Sequence, residues 1–510
     1  MDKIRIKNLR SINDSGYIEL KSINIAVGCN SSGKSTFLRT FPLLRQSTEK
    51  KTRGPILWSG NTIDFDSFET AVNSIDDNGK EKNIEFLFVL NINNSDRFNV
   101  SQDKEQIKIE CNVCISKNKV GRGCHTSKYS VNLYGHEIEF IFDEDGTIIS
   151  CKSEKLTWEL KKNDLKYQVT NTDSLLPIFH VDRYLFLNKE QDEKNITSIV
   201  FKQLLTIFKG ISGSKSDDKT HRLVRNFLSK YRSAEERMHL LKLTRSTSKW
   251  KNHFRNEHVP DFDFISGLAD LHFVMERSYY VNQEITRVLN GVRYFAPLRT
   301  TAQRYYRYQD LSVDEIDSKG DNLGMFLSNI NRNKKKQLDE WTKEHFGFVI
   351  NHDYSGGHVS IFIQNSTTGL QNNIADVGFG YSQVLPIIVQ LWSISSGYEN
   401  SLSRAKRDSY IYVIEQPELH LHPKMQAMIA SVFGASISLA KKNDINLKFI
   451  IETHSTSIIS KLGELTCSGE IEKDSISILL FEEGNGERIR FSKFDDQGFL
   501  TDWPIGFLEY

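Results

Sequence analysis

The stretch Gly28-Cys29-Asn30-Ser31-Ser32-Gly33-Lys34-Ser35-Thr36 decides the fold of this 510-residue chain. Two glycines enclose four residues and are followed by a lysine and a hydroxyl side chain, and the apolar run Ile23 to Val27 comes directly before them. Glycines let such a loop wrap closely, so that its N–H groups and the N-terminus of the next helix face an anion. The sequence therefore predicts a strand, a phosphate-binding loop and a helix from about Ser35 to Leu44.

The residue types of this loop predict binding of ATP together with Mg²⁺. In such loops the lysine, here Lys34, reaches the β- and γ-phosphates, and the hydroxyl of the next residue, here Ser35, ligates Mg²⁺. An ordinary Gly/Ser turn before a helix is the alternative. The candidate nucleotide-binding residues are Gly28, Asn30, Ser31, Ser32, Gly33, Lys34, Ser35 and Thr36.

A second apolar run, Tyr410 to Ile414, leads directly into Glu415-Gln416-Pro417-Glu418. A carboxylate at the end of such a strand is how an NTPase supplies a ligand to Mg²⁺, so Glu415 is the predicted metal-side acid. The next position is where the water-polarising residue is expected, but the amide of Gln416 cannot act as a general base. Three alternatives stay open: Glu418 is the base, Gln416 orients water and hydrolysis is slow, or the protein is mainly an ATP-gated clamp.

Two further segments carry candidate site residues. Asp376 to Gln383 places glycines and a serine just before the apolar helical run Val384 to Trp392, which is suited to an anion at a helix N-terminus. The strand Phe449 to Ile451 ends in Glu452-Thr453-His454-Ser455. His454 is thereby expected at a strand end, where a γ-phosphate would be sensed.

In this order the motifs resemble the ABC-type ATPase heads of the SMC, RecF and OLD group, which are commonly labelled AAA-family ATPases. The resemblance covers about residues 1–92 and 290–510. It implies that Gly28 to Thr36 is the Walker A motif, that Glu415 is the Walker B acid, and that His454 is the switch histidine. It also implies a D-loop at Leu419 to Pro423 and a signature motif at residues 378–383, with Gly380, Ser382 and Gln383 contributing to nucleotide binding.

The same resemblance implies self-association. ATP would be sandwiched between the P-loop of one subunit and Ser382 of another, so that binding joins the heads and hydrolysis parts them. Two departures from the family pattern concern this chemistry. Gln416 replaces the usual acid after Walker B, and Gln46 is too close to the P-loop helix to be the Q-loop glutamine.

The segment after His454 is too short for the Toprim nuclease domain of OLD-type proteins, so we expect a stand-alone ATPase. The chain resembles the stand-alone ATPase subunits of antiphage systems, such as the PtuA ATPases of Septu and retron systems. That similarity implies a separate PtuB-like HNH nuclease as the effector partner and, in retrons, a reverse transcriptase with its msDNA. The alternatives are a RecF/SMC-like DNA-repair ATPase that binds DNA directly, and a nuclease in its own right.

The overall charge conceals a basic segment. Lys and Arg number 66 against 65 Asp and Glu, but residues 200–258 contain 14 basic and 5 acidic residues, which is +9 against −8 for the rest of the chain. This segment is predicted either to track a nucleic-acid backbone or to form a solvated or protein-docking face. Its candidate residues are Arg222, Arg225, Lys230, Arg232, Arg237, Lys242, Arg245, Lys249 and Lys251, with Trp250 and Phe254.

Periodicity predicts an α/β fold, in which a nucleotide-binding head is split in sequence by a helical insertion, and the resemblance implies that this head is of the ABC type. Residues 1–190 form the first part of the head with an antiparallel β lobe, 191–289 form the basic helical insertion, and 290–510 form a parallel-sheet α/β lobe. Alternating apolar residues predict strands in the β lobe. The predicted strands are Ile84 to Ile92, Ile107 to Ile115, Val131 to Phe142 and Leu156 to Gln168.

Targeting signals and cysteine content indicate the cellular location of the protein and the oxidation state of its thiols. No signal peptide and no run of about 18 apolar residues is present, so we expect a cytoplasmic protein that does not enter a membrane. The six cysteines are expected to be free thiols. Two metal sites are weighed against structural roles: a zinc knuckle of Cys111, Cys114, Cys124 and His125, and a site at His420 and His422, where a loop at a dimer interface is favoured.

Overall fold

The computed structural model describes most of the chain. The described residues are 1–50, 52–73, 82–93, 106–120, 123–159, 175–179, 196–213, 217–229, 232–244, 247–255, 259, 261–297, 302–309, 313–377, 379–402, 407–482 and 489–501.

These residues include 19 strands and 13 α-helices. The strands are β1 Lys3–Leu9, β2 Ile12–Asp14, β3 Ile18–Glu19, β4 Ile23–Gly28, β5 Ile84–Asn93, β6 Gln106–Lys117, β7 Cys124–Leu133, β8 His136–Phe142, β9 Ile148–Lys152, β10 Thr157–Glu159, β11 Val292–Phe295, β12 Tyr306–Arg307, β13 Phe348–Ser355, β14 His358–Asn365, β15 Gln371–Asn373, β16 Ser409–Glu415, β17 Asn446–Glu452, β18 Ile476–Phe481 and β19 Ile489–Ser492. The helices are α1 Lys34–Glu49, α2 Phe68–Ala71, α3 Ile196–Ser212, α4 Asp217–Leu228, α5 Ala234–Leu243, α6 Ser248–His253, α7 Phe262–Asn290, α8 Leu323–Asn329, α9 Arg332–Phe346, α10 Phe379–Ser395, α11 Tyr398–Leu402, α12 Pro423–Lys442 and α13 Thr456–Cys467. None of these helices is both long and apolar enough to cross a membrane.

The chain divides into two compact units. Unit 1 consists of Met1–Asn13, Gln46–Ser59 and Phe65–Thr286, and unit 2 consists of Asp14–Arg45, Gly60–Asp64 and Arg287–Tyr510. Unit 1 thus combines residues of the predicted β lobe with those of the predicted helical insertion. These compact units are not the three segments 1–190, 191–289 and 290–510, and that division of the chain stays a prediction.

Unit 1 is built on an antiparallel sheet in the order β10-β9-β8-β7-β6-β5-β1. Alternate side chains such as Ile84, Phe86 and Phe88 on β5 are buried, as the period-2 pattern predicted. The prediction of one strand over Val131 to Phe142 was wrong. The chain turns at Tyr134 and Gly135, which have φ of 59° and 86°, and β7 pairs with β8 as a hairpin.

The fourth predicted strand is only partly testable. Its residues Thr157–Glu159 form β10, and residues 160–168 lie outside the described residues. The helices of unit 1 have an aromatic core, in which Phe208 meets the Trp250 ring edge-on at 5.2 Å between centroids.

Unit 2 is built on a mostly parallel sheet in the order β11-β16-β17-β4-β18-β19, in which only β19 is antiparallel to its neighbour. The apolar runs of β16 and β17 are buried, as expected for strands covered on both faces. Helix α12 covers one face, where Phe433 packs on Phe449 of β17 at 4.9 Å between ring centroids. The predicted α/β class, with an antiparallel β lobe and a parallel-sheet lobe, is confirmed.

Strand order and register place the candidate site at one edge of this sheet. Glu415 at the end of β16 is the register partner of Glu452 at the end of β17, and Glu452 is the partner of Ala26 on β4. Parallel strands bring their carboxyl ends to the same edge, where ligands bind in open α/β sheets. The loop after β4 therefore lies beside both glutamates.

Candidate functional site

The loop from β4 to α1 has a backbone that requires glycine at Gly28. Its φ is +150°, and a Cβ at this position would lie 2.3 Å from the carbonyl oxygen of Phe481 on β18. Ser31 and Gly33 also have positive φ, 65° and 109°, so the chain reverses tightly before α1 begins. In a loop where residues with positive φ follow residues with negative φ, successive N–H groups can point to the same side and form a concave site for an anion.

Lys34 is the first residue of α1 and is buried. Its Nζ donates to the carbonyl oxygens of Gly28 at 2.8 Å and Cys29 at 2.6 Å. Burial lowers the pKa of Lys34, and the charge of Glu452 opposes that shift. The ammonium group thus lies across the loop, close to any anion that the loop encloses.

The remaining loop residues differ in exposure. Asn30 and Ser31 are exposed, whereas Ser32 and Thr36 are buried. The Ser32 hydroxyl donates to Cys29 O at 2.8 Å, and the Thr36 carbonyl accepts a bond from Thr40 Oγ1 at 2.8 Å. These contacts hold the loop and the start of α1 in one conformation.

Glu415, the predicted metal-side acid, is paired with a cation of the chain itself. Arg39 on α1 donates to its two oxygens from Nε at 2.8 Å and from Nη2 at 2.7 Å, and the Tyr294 hydroxyl donates to Oε1 at 2.9 Å. The hydrogen bond to Glu415 raises the pKa of Arg39. Burial, reinforced by the charge of Glu415, raises the pKa of Tyr294. Both donors therefore keep their protons in this pocket.

Glu452 is the carboxylate that contacts the P-loop serine. Ser35 Oγ donates to its Oε2 at 2.9 Å, with Oε1 at 3.2 Å. Burial raises the pKa of Glu452, the bond from Ser35 opposes that shift, and the charge of Glu415 adds to it. Sequence reasoning gave this residue no role, although its place at the end of a buried strand, two residues before His454, was a signal.

The loops after β16 and β17 are bonded to each other. Gln416 has φ of 43°, and its N–H donates to the carbonyl of Glu452 at 2.8 Å. The carboxylate of Glu418 accepts from Thr453 Oγ1 at 2.8 Å and from the N–H of His454 at 2.7 Å. Burial lowers the pKa of His454, and the charge of Lys34 lowers it further. The imidazole is therefore neutral near pH 7, and Glu418 holds its backbone in place.

The predicted signature residues Gly380 and Ser382 lie in the first turn of α10, and Gln383 comes directly after them. Gly380 has little room for a side chain, because a Cβ there would lie 3.2 Å from Met425 Sδ. Ser382 and Gln383 are buried, and Gly378 lies outside the described residues. Their role toward the nucleotide of a second subunit stays a prediction, as do the roles of Gln416 and Glu418 in hydrolysis.

The alternative metal sites find no support in the geometry. The thiol of Cys111 lies 3.8 Å from the Tyr129 hydroxyl, and Cys124 accepts a bond from Trp58 Nε1 at 3.3 Å. Burial raises the pKa of Cys111 to about 12. His422 caps α12 by accepting from the N–H of Lys424. In the described ranges, no group of three or more His, Cys, Asp and Glu side chains is placed to hold a metal ion.

The basic segment is partly structural. Trp250 and Phe254 are buried, so their rings are not available to stack on bases, and nucleic-acid binding by this segment stays a prediction. Arg237 is also buried, where it donates to the carbonyl of Ser266 at 2.9 Å and pairs with Asp270 at 2.6 Å. Lys230 and Arg245 lie outside the described residues. The exposed candidates are Arg222, Lys242, Lys249 and Lys251.

Comparison with known proteins identifies the class of this chain. The sequence profile of the AAA ATPase domain family matches residues 1–459, so the chain belongs to that family. The predicted membership of the AAA-type ATPases is confirmed, whereas the narrower PtuA assignment stays a prediction.

Among solved structures, the chain is similar to the SMC head domain from Thermotoga maritima, with a TM-score of 0.31 and 7% identity over 97% of this chain and 98% of that one. It is also similar to the recombination mediator protein RecF of the RecFOR pathway, with a TM-score of 0.28 and 10% identity over 96% and 97% of the two chains. No curated protein sequence matches it.

Proposed function

We propose that this protein binds ATP with Mg²⁺ and hydrolyses it at the carboxyl edge of the unit 2 sheet. The observation that carries the proposal is the P-loop between β4 and α1, whose Ser35 hydroxyl lies 2.9 Å from a buried carboxylate at a neighbouring strand end. A hydroxyl and carboxylates are the oxygen donors that Mg²⁺ prefers. Glycine at position 28 lets β4 end close against β18 where the loop begins, because a Cβ there would lie 2.3 Å from the carbonyl oxygen of Phe481.

Each residue then has a task that its position supports. The loop N–H groups and Lys34 bind the phosphates, and the carboxylates at the two strand ends balance the metal charge. Bound Mg-ATP supplies an activated phosphoryl group for transfer to water. Gln416, which cannot take a proton, orients that water, so turnover is expected to be slow.

The first prediction tests nucleotide binding itself. Lys34→Ala removes the ammonium group from the loop, and we expect ATP affinity to fall by about 100-fold because charge-assisted bonds to phosphate are lost. Titration with a fluorescent ATP analogue measures this. The control is Lys336→Ala, a side chain that is 80% exposed on α9. Equal ATP affinity in the two variants would contradict the proposed site.

We propose further that ATP joins two or more chains through Ser382 and the P-loop, and that the assembly controls a separate PtuB-like HNH nuclease in antiphage defence. The arrangement of the motifs along the chain supports this. The test is purification of the tagged full chain from its native operon with ATP and Mg²⁺. Recovery of neither an HNH nuclease nor a reverse transcriptase would count against the defence role.

Direct DNA binding is the second candidate, and the exposed Arg222, Lys242, Lys249 and Lys251 favour it. It predicts ATP-dependent binding of DNA by the purified chain, with an affinity that falls steeply as salt is raised. No binding at low salt with ATP would remove it. A cleavage assay with Mg²⁺ or Mn²⁺ tests the nuclease alternative in the same preparation.

A further inference from the structure

Two glutamates end neighbouring strands at the same register, and both are buried. Glu415 on β16 is 2% exposed, and Glu452 on β17 is 4% exposed. A buried carboxylate is costly unless it is paired with a cation or well supplied with hydrogen-bond donors. The surroundings of the two glutamates therefore show which of them is already compensated by the protein.

Glu415 is compensated. The guanidinium of Arg39 donates to both of its oxygens, and the phenol of Tyr294 adds a third hydrogen bond. The two-pronged contact is the strongest geometry that an arginine and a carboxylate form. An entering metal ion would have to displace a positive charge that the fold already supplies.

Glu452 is not compensated in this way. A carboxylate can accept hydrogen bonds at about four positions. In the described part of the chain, one side chain, Ser35, donates to the carboxylate of Glu452. The nearby ammonium of Lys34 is bonded to the carbonyls of Gly28 and Cys29 instead. Glu452 thus presents buried acceptor oxygens beside the hydroxyl that the motif assigns to the metal.

We propose that Glu452, and not Glu415, is the carboxylate that receives the Mg²⁺ of Mg-ATP together with Ser35. The proposal rests on the proposed function and reassigns its metal-side acid. Oxygen donors on neighbouring elements suit Mg²⁺, which is held by one or two carboxylates plus substrate phosphates and keeps several waters. Glu415 then serves as a positioning residue, which anchors Arg39 and with it the helix that carries Ser35.

The test measures metal and nucleotide binding separately on the full chain. Mn²⁺ binding in the presence of a non-hydrolysable ATP analogue is followed by electron paramagnetic resonance, and binding of the analogue alone is measured in EDTA. We expect Glu452→Gln to weaken Mn²⁺ binding by about tenfold or more, with analogue affinity in EDTA changed less than about twofold. Glu452→Asp, which keeps a carboxylate, should restore part of the Mn²⁺ affinity.

Glu415→Gln is the matched variant, and we expect it to weaken Mn²⁺ binding less than Glu452→Gln does, because Glu415 acts on the metal site only through Arg39 and the helix that carries Ser35. The proposal is overturned if Glu415→Gln loses Mn²⁺ while Glu452→Gln keeps it. It is also overturned if Glu452→Gln weakens analogue binding in EDTA as much as it weakens Mn²⁺ binding, because Glu452 would then only position the loop. A wild-type chain that binds no analogue with or without metal would instead reject the ATP site itself.

Discussion

The strand ends of β16 and β17 carry the same residue at the same register, yet they have opposite surroundings. Glu415 is held by Arg39 and Tyr294, whereas Glu452 contacts Ser35 of the P-loop. Side-chain type and strand position are identical, so the difference arises from the neighbouring elements. It separates a carboxylate that the fold has neutralised from one that still has acceptor capacity for a cation.

The largest expected effect comes from removing the cation that pairs with Glu415 at the end of β16. Arg39→Leu leaves the buried Glu415 without its cation, and we expect the free energy of unfolding to fall by about 2–4 kcal/mol. The expected loss is smaller than for a fully buried ion pair, because one-third of the Arg39 side chain is exposed to solvent and water screens the pair. Urea denaturation of the metal-free chain measures this.

The matched control is Arg304→Leu, which removes an arginine from the half-exposed pair with Asp376. That pair is screened by water, so the expected loss is below about 1 kcal/mol. If Arg39→Leu costs no more than Arg304→Leu, Glu415 is not held as a buried ion pair, and the contrast between the two strand ends disappears.

An intermediate effect, on the rate of hydrolysis, is expected at Glu418, which connects the loops after β16 and β17. Glu418 follows β16 but bonds to Thr453 and His454 after β17. In Glu418→Gln the amide can keep one of these two bonds, so we expect hydrolysis to slow by about tenfold with ATP affinity unchanged. Phosphate release under saturating ATP is the measurement. Glu464→Gln, at an exposed site on α13, is the control.

Normal turnover in Glu418→Gln would show that Glu418 is neither a base nor needed to hold His454. A loss of ATP affinity with unchanged turnover would place its role in nucleotide binding instead.

The smallest expected effect is the pH dependence of stability that Glu452, at the end of β17, produces. The pKa of Glu452 is raised in the folded chain above the usual 4.5, chiefly by burial, so the folded state binds this proton more tightly than the unfolded state does. Protonated Glu452 therefore contributes favourably to the free energy of folding below pH 4.5, and this contribution is lost as the pH rises through the pKa of Glu452 in the folded chain. Relative to Glu452→Gln, the metal-free wild type should lose stability over that range, by about 1 kcal/mol at most.

Denaturation of both chains in EDTA at several pH values checks this sign. A wild type that gains stability relative to Glu452→Gln as pH rises would mean that a cation of the protein already compensates Glu452. That result would remove the contrast with Glu415.

Much of the fold could be predicted because its signals are local. The buried runs of β16 and β17 and the alternation in β5 and β6 are readable without any tertiary information. The hairpin at Tyr134 was missed because apolar residues recur on both sides of a two-residue turn that has no Asn-Gly or Asp-Gly pair. The burial of Trp250 was missed because an aromatic residue among lysines suits a core as well as a surface.

The sequence by itself determined the P-loop, because its two glycines, its lysine and its hydroxyl side chains all lie between Gly28 and Thr36, directly after an apolar run. Such a pattern is local and can be read from the chain without tertiary information. Only the tertiary structure decided which carboxylate meets Ser35 and which meets Arg39. Strand order inserts β17 between β16 and β4, and it joins residues that lie more than 370 positions apart in the sequence. No local pattern encodes that adjacency, because it depends on how the whole parallel sheet is assembled.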